Sequence, residues 1–160
     1  MQSEQDVNRA IEQYADTVKR ICVLHLKNDA DTEDIFQTVF LKYALRSALF
    51  ESPEHEKAWL IRVNINICKN MLRFHRRHPA EVYESLAASP HSLEENRIMD
   101  ILMALRSKEK EGLILHYIEG YSCREIGQIL KISENAVKKR LERARNSFKK
   151  QYEEAEKNDF

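Results

Sequence analysis

Residues 121–150 read YSCREIGQILKISENAVKKRLERARNSFKK. Nine of these thirty residues are Lys or Arg and three are Glu, yet the whole 160-residue chain balances 26 basic against 26 acidic side chains. Two helix starts stand close together in the stretch. Ser122 and Glu125 have the S-x-x-E spacing of a capping box, with Tyr121 and Ile126 placed as its hydrophobic staple. Ser133 is the cap of a second helix, stapled by Ile132 and Val137. Only LKI separates them, which is the spacing of a helix-turn-helix.

A wheel of 100° per residue sorts the second helix into two faces. Val137, Leu141, Ala144 and Phe148 form a narrow apolar face. Asn135, Lys139, Glu142, Arg143 and Asn146 lie opposite, flanked by Lys138 and Arg140. Those polar types match base edges in a major groove: Arg or Lys to guanine, Asn to adenine, Glu to cytosine. The flanking bases suit phosphates, which position without specifying sequence. A Lys-rich solvated helix is the plainer reading. The paired caps, the staples and the tight turn favour DNA.

A second basic block precedes it. WLIRVNINICKNMLRFHRR covers residues 59–77, and residues 61–78 hold five Lys or Arg and no acid. Arg62, Asn66, Lys69, Asn70, Arg73, Arg76 and Arg77 gather within about a third of the wheel. A solvated face usually mixes signs, because acid–base pairs at i,i+4 support a helix. A stripe of cations alone repels itself and calls for a polyanion. Everything else in that segment is apolar or His, with Asn64 the one exception. Residues 1–60 and 79–105 are each net acidic, so the two cationic blocks are distinct along the chain.

With three Gly and three Pro, the composition predicts an all-α chain. The periodicity gives a helix over residues 3–27 with Val7, Ile11, Tyr14, Val18, Ile21 and Cys22 inward. A second opens with Asp31 as cap and carries Ile35, Phe36, Val39, Phe40 and Tyr43. FESPEHEK is a loop, and a third helix runs from residue 55 or 56 to residue 77, where Pro79 stops it. Residues 79–92 read as a linker. Helices capped by Ser92 (residues 93–105) and Ser107 (residues 108–118, ended by Gly120) precede the helix-turn-helix. Two small helical domains are thus expected, residues 1–78 and 93–160.

Other chemistry is disfavoured. Cys22, Cys68 and Cys123 show no CxxC and are expected as free buried thiols, without a disulfide framework or metal. The six His residues form no HExxH, and no hydrolase triad or phosphate-binding loop is present, so no enzyme and no cofactor are expected. His75 and His78 stand at i,i+3 without a third ligand. The chain has neither an apolar run of spanning length nor a signal-peptide pattern, so a cytoplasmic protein with no membrane insertion is expected.

Taken together, DADTEDIFQTVFLKYA, then AWLIRVNINICKNMLRFHRR, then GYSCREIGQILKISENAVKKRLERAR resemble a bacterial RNA polymerase sigma factor of the compact extracytoplasmic-function (ECF) type. The resemblance spans about residues 8–150. It implies a monomer on core RNA polymerase that directs it to promoters and helps open the DNA. The first domain (region 2) would bind one large subunit through Asp34, Gln37, Phe40 and Leu41, and the −10 element through Arg62, Asn66, Lys69, Asn70, Arg73 and Arg76. The loop FESPEHEK with Asn66 would hold a flipped base, and Trp59 and Phe74 are candidates for stacking on unpaired bases. The second domain (region 4) would bind the −35 element through Arg124, Asn135, Lys138, Lys139, Arg140, Glu142 and Arg143, and a flap of the other large subunit. The acidic linker would thread the polymerase channel. An anti-sigma factor is a common partner in that family. Two departures stand out: Lys131 replaces a frequent Gly in the turn, and Gly127 replaces a usual Ala. The rival reading is a stand-alone helix-turn-helix regulator, which leaves the acid-free stripe unexplained.

Overall fold

The computed structural model describes residues 1–26, 29–78 and 93–158, all helical or in short connections. The chain falls into two compact units, Met1–Leu86 and Ala87–Phe160. The expected linker, the Ser92 cap and the Pro79 stop lie outside the described residues.

The first unit is a three-helix bundle of α1 (Glu4–Leu26), α2 (Asp29–Leu45) and α3 (Pro53–Arg77). Ser3 caps α1, its hydroxyl accepting from the Asp6 N–H at 3.1 Å. Tyr14, Val18, Ile21 and Cys22 are buried as the periodicity predicts, joined by Ala10. Ala10, Tyr14, Val18 and Cys22 cluster with Ile35, Val39, Phe40 and Tyr43 of α2 and Leu60 and Cys68 of α3.

Several local expectations are corrected. The second helix begins at Asp29, so Asp31 lies inside its first turn and its carboxylate pairs with His75 at the far end of α3. The third helix starts at Pro53, two residues early. Ser52 is its cap, accepting from the His55 N–H at 3.0 Å, and Pro53 sits where its missing N–H costs nothing. The segment EHEK is therefore helix rather than loop. Cys22 and Cys68 are buried, but Cys123 is only partly covered.

Two buried polar groups tie the bundle. Glu56 is 5% exposed. Its carboxylate accepts from Arg9 at 2.8 Å, Tyr43 at 2.5 Å and Tyr14 at 3.2 Å, joining all three helices. Asn64 is fully buried; its amide donates to the Val18 carbonyl at 3.1 Å and its oxygen accepts from the Cys22 thiol at 3.0 Å. The sequence pattern set Asn64 aside as an exception, but it is a cross-helix anchor.

The second unit contains α4 (Leu93–Ala104), α5 (Ser107–Leu113), a π-helical turn over Ile114–Ile118, α6 (Cys123–Leu130) and α7 (Glu134–Asn158). Ser107 is not a cap. Arg106 holds that position, with no side-chain hydrogen bond. The expected single helix to residue 118 changes to π geometry at Ile114, where the Glu119 N–H reaches the Ile114 carbonyl at 2.9 Å. Gly120 has φ +79°, which lets the Tyr121 N–H close on the Leu115 carbonyl at 2.9 Å. Among the described residues, no helix is long and apolar enough to cross a membrane.

Burial pushes the Glu56 carboxyl upward, but the hydrogen bonds from Arg9, Tyr43 and Tyr14 outweigh it and hold its pKa below the ordinary 4.5. A lowered carboxylate contributes stability that is complete above its ordinary value and is lost as pH falls through the folded one. The Glu56→Gln variant is expected to lose about 2 kcal/mol at pH 7, the scale of hydrogen bonds to a charged group. The gap between it and the wild type should narrow as pH falls below the ordinary 4.5 and through the folded value. Urea unfolding from pH 3 to 7 measures both; a gap independent of pH would refute the carboxylate's role.

Candidate nucleic-acid interface

In the second unit the interface is built from the turn outward. The capping box is complete: Ser122 Oγ accepts from the Glu125 N–H, and Glu125 Oε1 accepts from the Ser122 N–H, both at 3.1 Å. Ser133 Oγ caps α7 through the Ala136 N–H at 3.1 Å. Between the caps, Lys131 adopts the left-handed conformation, φ 58° and ψ 45°. A side chain there costs about 1 kcal/mol relative to Gly. Gly127 explains why the turn still closes. Its carbonyl accepts from the Ile132 N–H at 3.0 Å, and a Cβ at Gly127 would stand 2.8 Å from the Ile132 carbonyl oxygen. The two departures from the family pattern are therefore one feature, a tight turn allowed by the glycine at its near side.

Val137, Leu141 and Ala144 are buried, with Leu141 against Gly112 of α5, where an added Cβ would sit 3.3 Å away. Phe148 is partly buried and stacks with Tyr152. The opposite face is open. Asn135, Lys138, Lys139, Glu142, Arg143 and Asn146 are exposed, as is Arg124 on α6, while Arg140 is half-buried at the flank. Lys138 forms an i,i+4 pair with Glu134 at 3.5 Å, a surface contact of little strength. Arg145 turns to the Tyr117 hydroxyl at 3.3 Å. An apolar groove of about 330 Å³ is lined by Ile98, Leu102, Leu113, Tyr117, Ile118 and Phe148, with Arg145 as its one charged wall. The sequence reading missed this groove. Two of its lining residues, Tyr117 and Ile118, are exposed and stand in the π turn, which periodicity does not reveal.

In the first unit, α3 carries the other basic face. Asn66, Asn70, Arg73, Arg76 and Arg77 are exposed; Arg62 and Lys69 are half-buried. Phe74, expected among the apolar positions, is 44% exposed. Trp59 is half-buried in an aromatic cluster with Tyr43 and Phe50, and the Arg46 guanidinium lies over both Phe50 and Trp59 at 4.5 and 5.2 Å. It is packed rather than free to stack on a base. The connection of residues 46–52 is pinned by Gln2, whose amide donates to the Arg46 carbonyl at 3.1 Å. Leu49, at its tip, is 84% exposed.

On α2, Asp34, Gln37 and Leu41 are exposed, and Leu45 continues the row at i+4. Phe40 is 5% exposed and belongs to the core. As placed here it supports that surface from beneath rather than forming part of it. Among the described residues, no group of three or more His, Cys, Asp or Glu side chains is arranged to hold a metal.

A helical chain with an N-terminal basic helix face and a C-terminal helix-turn-helix is a two-part DNA-binding architecture. The family described as Sigma-70 region 2 matches residues 10–78, and that described as Sigma-70, region 4 matches residues 95–147. The ECF RNA polymerase sigma factor SigW of Bacillus subtilis is 30% identical over 159 residues, covering 86% of this chain and 84% of SigW. The probable RNA polymerase sigma factor RfaY of Xanthomonas campestris is 31% identical over 156 residues, 89% of this chain but 39% of RfaY's length. Among solved structures, the sigma factor RpoE bound to the anti-sigma factor NepR, from Bartonella quintana, shares the fold with a TM-score of 0.76 and 22% identity, covering 93% of this chain and 98% of RpoE. CnrH in complex with the cytosolic domain of CnrY shares it with a TM-score of 0.72 and 22% identity, over 94% of this chain and 90% of CnrH. The chain belongs to the ECF family of RNA polymerase sigma factors.

The strained turn gives a direct test. Lys131→Gly is expected to stabilise the second unit by about 1 kcal/mol, or about 4–8 °C in melting temperature for a unit of this size. Gly127→Ala is expected to destabilise it, because the atom it meets is backbone. Thermal melts followed by circular dichroism measure both; equal melting temperatures would refute the coupling.

Proposed function

We propose that this chain binds core RNA polymerase, brings it to a set of promoters and helps open the duplex, with no enzymatic step of its own. The observation that carries this is the presence, on one ECF-family chain, of two exposed cationic helix faces on separately folded units. The domain assignment that fits is residues 1–78 for region 2, 79–92 for the connection and 93–160 for region 4.

Within it, Asn135, Lys139, Glu142 and Arg143 read base edges of the upstream (−35) element, while Arg124, Lys138 and Arg140 hold phosphates. Arg62, Asn66, Lys69, Asn70, Arg73 and Arg76 hold the displaced strand of the −10 element. Opening costs about 1–2 kcal/mol per base-pair step, and capture of unpaired bases and backbone offsets it without ATP. Asp34, Gln37 and Leu41 face the large subunit that region 2 engages, with Phe40 beneath them. The apolar groove of the second unit is assigned to the flap of the other large subunit, because none of the residues proposed to contact the −35 element lines it. The complexes of RpoE with NepR and CnrH with CnrY support an anti-sigma factor as a further partner.

Run-off transcription with purified core polymerase on genomic fragments tests the whole reading: discrete products that require this chain are expected. DNA binding without polymerase at a palindromic site would favour a stand-alone regulator. Arg143→Ala and Lys139→Ala should each weaken duplex −35 binding by about 5- to 150-fold while leaving polymerase binding unchanged. Lys138→Ala should weaken binding to all sequences alike and lower the salt slope by about one. Asn66→Ala should impair open-complex formation, read by permanganate reactivity, more than closed-complex affinity. Wild-type strand opening in that variant would count against its assignment.

A further inference from the structure

Two rungs join α1 to α3 at one offset. The Asn64 amide donates to the Val18 carbonyl at 3.1 Å, and one turn further on Cys68 meets Cys22 with the sulfurs 3.9 Å apart. Both pairs are 46 positions apart in sequence, so the two helices run side by side in the same direction. Between the rungs, Asn64 Oδ1 lies 3.0 Å from Cys22 Sγ and 3.7 Å from Cys68 Sγ. Each thiol has one proton to donate, and both protons point into this small cluster. Cys22, Asn64 and Cys68 are all fully buried.

A free Cys often serves as a small core hydrophobe, and one such residue would carry no inference. Here two sulfurs face each other from different helices. A disulfide brings them to about 2.0 Å, so side-chain rotation has to supply an approach of about 2 Å. RNA polymerase works in a reducing compartment, where disulfides that do form are usually transient and redox-sensing. The thiols are thus expected open at rest and closed only under an oxidant. Burial shields them from bulk solvent, so reaction needs a local opening. Cys22 lies one turn from the end of α1 at Leu26, where a helix frays first.

We propose that Cys22 and Cys68 form a dithiol that a hydroperoxide closes into a disulfide, and that closure lowers promoter opening by disturbing the seat of α3. This rests on the promoter-opening reading above. The Cys22 thiolate attacks the peroxide; an S–O bond forms, the O–O bond breaks, and the alcohol or water leaves with the thiol's proton. The Cys68 sulfur then attacks the sulfenic acid. The S–S bond forms, the S–O bond breaks, and hydroxide leaves with the second proton as water. Two thiols lose two electrons, and the peroxide gains them. A dithiol reductant reverses the bond by exchange. Closure consumes both S–H protons, so Asn64 Oδ1 loses its thiol donors. It also resets the spacing of α1 and α3 at the rung that immediately precedes Lys69, Asn70 and Arg73 on the basic face.

The test uses the full chain carrying Cys123→Ser, which removes the remaining thiol. The chain is treated with hydrogen peroxide under native conditions, cleared with catalase and only then assembled with core polymerase. Non-reducing peptide mapping is expected to recover one linked peptide containing Cys22 and Cys68. Open-complex yield, read by permanganate reactivity on a promoter mapped by run-off, is expected to fall about fivefold or more. Duplex −35 binding should stay within about twofold, and dithiothreitol should restore opening. Cys22→Ala in the same background should make opening indifferent to peroxide. Thiols that stay reduced, or that go to sulfinic acid without linking, would overturn the proposal. So would a linked chain that opens promoters as well as the reduced one. A reduced holoenzyme that opens no promoter would refute the sigma reading instead, and the peptide map would still decide whether the dithiol closes.

Discussion

One carboxylate holds the first unit in register. Glu56 joins all three helices through hydrogen bonds: Arg9 and Tyr14 reach it from α1, Tyr43 from α2. Its burial would be costly alone, and three donors make it tolerable. Asn64 repeats the device two turns on, tying α3 to the Val18 carbonyl and the Cys22 thiol. The His75–Asp31 pair closes the far end. With its inner side pinned at three heights, α3 cannot roll, and its cations and amides keep a fixed outward bearing.

That rigidity is what the functional reading requires. Cations on a freely rotating helix would attract DNA but could not distinguish a paired strand from a separated one. The second unit meets the same need differently. Its reading helix is set by backbone economy, through two caps and a turn closed on Gly127. Polar side chains reach across the helices of the first unit; in the second, local main-chain geometry does most of the positioning.

The difference explains what was legible in the sequence. Caps, staples and the outward face of α7 depend on residues three or four apart, and these were readable. Glu56 was left at the border of loop and helix and Asn64 set aside, because their α1 partners lie 42 to 47 positions away and Tyr43 of α2 lies 13 away from Glu56. Periodicity gives a face, not a mate. The family resemblance put Phe40 on the polymerase-facing surface, while its helical spacing grouped it with the apolar residues of α2; it is 5% exposed and packs with that apolar group. The π turn had no breaker residue to announce it, and the groove that two of its residues line went unread with it.

The turn between α6 and α7 also constrains how this sequence can drift. Lys131 and Gly127 meet through the backbone of Ile132, so their substitutions are not independent events. Alanine at 127 collides while the present bend persists, whereas glycine at 131 frees that bend to adopt another shape. The mutational route from this arrangement to the reverse one therefore runs in a preferred order, position 131 first, with the opposite order passing through a poorly folded intermediate.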